Sequence, residues 1–149
     1  TITAAFEGYQ YTYTHAGNTD GVNVEAVNET AREAALELLA TMDAGRYDDV
    51  QEQIPDRYDS VFGLGGALGR GRDAGILWMD FEYMPEDAPP QVVGHTRQRT
   101  PTRVGETVCG NVLRRNNGLP GGEAVLVESP DGLVAVTRRR DGTVSVSDV

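Results

Sequence analysis

The chain has 149 residues, 39% hydrophobic and 24% charged, with a formal net charge of −10. That size and composition describe one globular domain, able to bury a core without disulfide or metal staples, and they exclude wholesale disorder. The acidic balance opposes nucleic acid and anionic membranes at long range, no apolar run approaches the roughly 20 residues that span a bilayer, and a single cysteine, Cys109, excludes an intrachain disulfide.

Ile2 to Thr14 is predicted as a strand or a bulged pair. Ile2, Ala4 and Phe6 alternate with polar neighbours, and after Gly8 the parity switches to Tyr9, Tyr11 and Tyr13; a glycine at a parity switch is what a bulge requires. Residues 15–22 have loop chemistry. A helix over about 23–44 follows, with Asn23 as its N-cap and Gly45 just past its end. Val24, Val27, Ala31, Ala35, Leu38 and Met42 recur on one face of it, opposite Glu29, Arg32, Glu33 and Glu37. Asp48 caps a second short helix through Ile54, which Pro55 ends. Residues 56–75, crowded with glycine, form a loop.

Ile76 to Met84 is predicted as a strand, with Leu77, Met79, Phe81 and Tyr83 on its core face and Trp78, Asp80 and Glu82 on the other. Residues 85–90 form a loop, and Val92–Thr100 and Arg103–Leu113 are two further strands around Pro101. After a loop at 116–122, the runs 124–128, 133–138 and 143–148 form a meander, turning at Asp131-Gly132 and Asp141-Gly142. The resulting fold class is α+β: one domain with a mainly antiparallel, twisted or barrel-like sheet, on which the long helix and the short second helix pack.

Several residue sets have the chemistry of a site. Gly69-Arg70-Gly71-Arg72-Asp73-Ala74 matches the spacing of a dinucleotide glycine motif, but a strand is predicted after it where a helix N-terminus is needed. Asp80 and Glu82 beside Trp78 are paired carboxylates suited to acid–base work, against a plain reading as the solvated side of a sheet. His15 and His95 are the two histidines, and their spacing shows no metal pattern. His95, Arg97 and Arg99 fall on one strand face as an anion-holding stripe or a charged rim. Cys109, between Val108 and Gly110, reads as a small buried hydrophobe, and no Gly-x-Ser-x-Gly elbow is present. No cofactor or metal site is expected.

Tyr9, Tyr11 and Tyr13 have the character of interface residues, burying a ring while keeping a wet hydroxyl. Arg138, Arg139 and Arg140, with Arg114 and Arg115, form a candidate basic patch. Charge is divided along the chain: residues 1–59 carry 12 acids against 3 arginines, and residues 97–149 carry 6 acids against 8 arginines.

Glu33 to Val50, Glu-Ala-Ala-Leu-Glu-Leu-Leu-Ala-Thr-Met-Asp-Ala-Gly-Arg-Tyr-Asp-Asp-Val, resembles the opening helix pair of NTF2-like domains. The resemblance implies a curved sheet after the helices and a cone-shaped pocket for small molecules. The strand predicted before the helix departs from that order, and no functional residue carries over.

The expectation is a non-enzymatic structural or interaction protein that self-associates as a component of a larger assembly such as a virion or shell. Its partners are proteins, with neither membrane nor nucleic acid, and its place is the cytoplasm or an assembled particle, because no basic-plus-apolar leader opens the chain. The alternative is an NTF2-like binding protein or enzyme using Trp78, Asp80, Glu82 and His95. A third reading is a small acidic inhibitor or immunity-type binder.

Overall fold

The computed structural model describes residues 3–112 and 123–149. The predicted loop at 116–122 and the candidate patch residues Arg114 and Arg115 lie outside the described residues. The chain is α+β. A hairpin opens it, with strands β1 (Ala5–Glu7) and β2 (Thr12–Thr14). Helices α1 (Val24–Asp43), α2 (Tyr47–Arg57), α3 (Asp59–Phe62) and α4 (Gly66–Gly69) come next. Six strands complete it: β3 (Gln91–Val93), β4 (Thr102–Val104), β5 (Thr107–Cys109), β6 (Glu123–Ser129), β7 (Gly132–Arg138) and β8 (Val144–Asp148).

The strands form two open sheets and no barrel. The first has the order β1-β2-β3-β5-β4, with β2/β3 and β3/β5 parallel and the outer pairs antiparallel. The second is the antiparallel meander β6-β7-β8. A barrel needs strands long enough to tilt and stagger around an axis; the first sheet has strands of only three residues.

The pleat of the first sheet sets the layers, because neighbouring residues point to opposite faces. Val93 and Cys109 pack with Ala16, Met79, Phe81 and Met84 on one face. Val92 and Val108 pack with Tyr11 and with Leu133 of the second sheet on the other. Helix α1 lies beside β1, and Ala31 closes a third cluster with Val61 and Ile76. The Asn23 side chain caps α1 by accepting from the Ala26 amide at 2.9 Å, and Gly45 takes the left-handed φ of 73° that ends it.

Several expected elements are corrected. The opening strand is a hairpin closed by a 2.8 Å bond from the Gly8 amide to the Tyr11 carbonyl. Helix α2 continues past Pro55 to Arg57. The loop at 56–75 contains α3 and α4. Residues 76–84 form no strand. Ile76, Met79, Phe81 and Met84 are the buried residues there, a spacing that does not alternate. Their backbone instead bonds to separate partners, Ile76 N to the Ser60 carbonyl and Leu77 N to the Val61 carbonyl, and residues 81–83 close a 3-10 turn. Gly75 allows this approach, because a Cβ there would sit 2.6 Å from the Val61 carbonyl carbon. The predicted strand 92–100 ends at Val93, and of the predicted strand 103–113 the part up to Cys109 belongs to the β4–β5 hairpin, residues 110–112 are not strand, and Leu113 lies outside the described residues. His95, Arg97 and Arg99 therefore share no strand face.

Among the described residues no helix is long and apolar enough to cross a membrane.

Candidate functional site

Two regions of the surface depart from what folding alone requires. The first is the outer face of the second sheet. Its register pairs Val125 with Val136, Val127 with Val134, and Val136 with Val146, while Val144 stands opposite Arg138. Directly paired residues point to the same side. Six valines therefore share one face: Val125, Val127, Val134, Val136, Val144 and Val146. Four of them are 62%, 47%, 59% and 66% exposed (Val125, Val127, Val144 and Val146). The inner face carries Leu126, Leu133 and Ala135 against the first sheet. On β8 both sides stand open, the valines on the outer side and Ser145 and Ser147 on the inner side, where they border a cleft with Thr137 and Arg139. All five residues of β8 are exposed, and it is an edge strand. A groove of about 350 Å³, bordered by Val112, Val125, Val136, Arg138 and Val144, runs over this face. Arg138 is exposed at one end of it, opposite Glu123, whereas Arg139 borders a cleft on the inner side with Thr137, Ser145 and Ser147.

The second region is a corner where His15, Trp78, Asp80 and His95 converge from three stretches of chain. His15 Nε2 lies 3.0 Å from His95 Nδ1. The Trp78 ring meets His95 edge-on at 6.1 Å between centroids. His95 Nε2 is buried without a hydrogen-bond partner, and the Asp80 Oδ1 atom is 3.8 Å away. Asp80 is held by the Thr96 hydroxyl at 2.9 Å and by Arg70 at 3.5 Å. His95 is one of two non-glycine residues with positive φ among the described residues, at 53°, a conformation that costs energy and persists only where the surroundings impose it. Burial, then the neighbouring His15, push the His95 imidazole below its ordinary range; Asp80 opposes them and Arg70 adds to them. A pocket of about 340 Å³ adjoins the pair, lined by Val92, Val93, Gly94, Asn111 and Leu126.

Of the four residues expected as an acid–base set, the fold gathers Trp78, Asp80 and His95 and leaves Glu82 exposed. His15, 80 positions from His95, joins them with no signal in the spacing. Cys109 is fully buried, its thiol donating to the Gly94 and Thr96 carbonyls, and burial pushes its pKa up, away from a nucleophile's range. Among the described residues no three His, Cys, Asp or Glu side chains stand together to hold a metal ion.

The interface candidates separate. Tyr9 is 69% exposed, whereas Tyr11 is buried and Tyr13 half-buried between the sheets. Tyr11 accepts from Arg103 at 2.7 Å, and Tyr13 stacks on Phe6 and donates to Glu128. Both serve contacts within the chain. Arg97 and Arg99 are exposed. The valine face did have a sequence signal: Ala124-Val-Leu-Val127 and Leu133-Val-Ala-Val136 are continuous apolar runs, the pattern of strands covered on both faces.

No protein-family model matches this sequence, and neither does a curated protein or a solved structure.

Proposed function

We propose that the chain is a non-enzymatic building block of an assembly, joining to other protein through the outer face of its C-terminal sheet. The exposed valines of this face carry this reading. A monomeric sheet turns most of its valines to the core; here four valines of β6 and β8 stand about half or more in solvent, beside an open edge. The acidic chain and the arginines at 138–140 add charged rims that give such contacts register and orientation.

Light scattering after size-exclusion chromatography tests it. The expected result is a mass above one chain that rises with concentration toward ~0.1 mM, the range of weak to moderate interfaces, and falls to one chain in Val125→Glu/Val146→Glu. A wild-type chain that stays monomeric throughout overturns the proposal.

The convergence of Trp78, Asp80, His95 and His15 beside a pocket supports a second reading, a small-molecule site with acid–base capacity. It predicts that a screened ligand shifts the imidazole resonances of both histidines together in NMR; ligands that move neither ring defeat it.

A further inference from the structure

Three strands of the first sheet, β2, β3 and β5, run in the same direction. In open parallel sheets ligand crevices lie outside the carboxyl ends of the strands. The residues that leave those ends here are His15 after β2, Gly94 and His95 after β3, and Gly110 and Asn111 after β5. All five line one pocket, and Leu126 of β6 borders it from the second sheet. The meeting of the two histidines is therefore a product of the topology.

The ring nitrogens of the pair have distinct roles. His95 Nε2 is buried and stands 3.8 Å from Asp80 Oδ1. Asp80 also accepts from the Thr96 hydroxyl and pairs with Arg70. A carboxylate favours an N–H over a lone pair on the nitrogen that faces it. The proton of His95 is thus on Nε2, and burial favours the neutral ring. Its Nδ1 is then an acceptor, so the 3.0 Å contact is a hydrogen bond donated by His15 Nε2. That leaves a lone pair on His15 Nδ1, in a ring that is exposed and borders the pocket. The chain Asp80, His95, His15 orients the outermost imidazole as a base.

We infer that His15 Nδ1 is the proton acceptor for a small, neutral, weakly acidic hydroxyl compound with an apolar ring, phenolic in class, seated in this pocket. The inference rests on the small-molecule reading of the corner and names the ligand class and the atom that receives its proton.

Size, polarity and charge select the class. A volume of about 340 Å³ is at the low end of the range of about 300–1,000 Å³ for ligand sites, which suits a single ring. Val92 and Leu126 give the pocket an apolar wall, and Gly94 and Gly110 place bare backbone beside it. A neutral imidazole lone pair accepts a hydroxyl proton and offers no charge to an anion, and the net charge of −10 opposes an anion at a distance. On binding, the ligand O–H breaks, its proton bonds to His15 Nδ1, and the electron pair stays on the ligand oxygen. The positive charge formed on His15 lies in a chain that ends at Asp80. His15 touches the ligand; His95 and Asp80 are positioning residues.

Three compounds with one ring in common test the inference: 4-nitrophenol, nitrobenzene and 4-nitrobenzoate. The phenol should bind, move the imidazole resonances of both histidines, and show more of its anion's visible absorption than in buffer at the same pH. The other two should bind at least about tenfold more weakly. His15→Gln should abolish the added anion absorption. If a compound without the hydroxyl binds as tightly, or the added absorption survives in His15→Gln, the inference fails while the small-molecule reading stands. If 4-nitrophenol moves neither ring, the inference fails, and the small-molecule reading stands or falls by the wider ligand screen. Proton positions are read on the wild type without any variant: long-range proton–nitrogen NMR should show both rings protonated on Nε2, and a proton on His15 Nδ1 overturns the inference. Asp80→Asn, checked for folding by circular dichroism, should move His95 away from that tautomer. A purely structural role for Asp80 would leave the tautomer as it is, and that result overturns the orientation on which the inference depends.

Discussion

The two faces of the C-terminal sheet are built from the same strands and have opposite fates. The inner face fastens the molecule. Leu133 and Leu126 pack with Tyr11, Val92 and Val108, and Glu128 accepts from the Gln10 amide at 2.6 Å, the Tyr11 amide at 3.0 Å and the Tyr13 hydroxyl at 2.9 Å. The outer face carries six valines, four of them about half or more exposed, and among the described residues no core cluster includes any of them. Apolar area on the inner face is used to fold; equal chemistry on the outer face exceeds what folding uses. Burial, not residue type, decides which of the two faces contributes to stability.

Substitutions on the two faces should therefore be read by different instruments. The largest effect on stability belongs to Leu133→Ala, which empties a site only 6% exposed. It should cost about 2–4 kcal/mol in urea unfolding. Val146→Ser on the outer face should leave unfolding within about 0.5 kcal/mol of wild type while weakening self-association; a stability loss as large as that of Leu133→Ala would erase the distinction between the faces.

Glu128→Gln comes next, with an expected loss of about 1 kcal/mol from weakened hydrogen bonds. Burial raises the Glu128 carboxyl, but hydrogen bonds from Gln10, Tyr13, Tyr9 and Tyr11 outweigh it and hold it below the ordinary 4.5. The contribution is present above pH 4.5 and lost as pH falls through the lower folded value. The acid limb of the stability–pH curve should consequently be shallower in Glu128→Gln.

His95 has the same sign by another route. Its folded imidazole titrates below 6.5, so the unfolded chain takes up the proton first and stability falls as pH drops through 6.5 toward that lower value. In His95→Asn, which tolerates the positive φ, thermal unfolding at pH 7 and pH 5.5 should differ less than in wild type. The smallest stability effect is expected for Arg138→Gln/Arg139→Gln/Arg140→Gln, within about 0.5 kcal/mol, with a flatter salt dependence of self-association.

Local chemistry made part of this fold legible. The N-cap Asn23 and the C-terminal Gly45 bracket α1, and the Asp-Gly turns bracket the meander, because each is decided by neighbouring residues. Residues 76–84 were not legible: their backbone bonds go to Ser60, Val61 and Ala16, so tertiary contacts choose which apolar side chains turn inward. Strands of three residues in the first sheet are too short to show a period. In the candidate corner, Trp78, Asp80 and His95 could be named from their types, but His15 is brought to His95 by the pairing of β2 with β3.

The Glu128 clamp also has a kinetic consequence. It ties residues 10–13 to residues 128–130, partners 115 to 120 positions apart. On the ribosome the first hairpin emerges long before the strand that covers it, so Tyr11 and Tyr13 wait uncovered while more than a hundred residues are added. Closing so long a loop is slow relative to local helix formation. The hairpin should thus be the last part to gain amide-exchange protection during refolding, and α1 among the first.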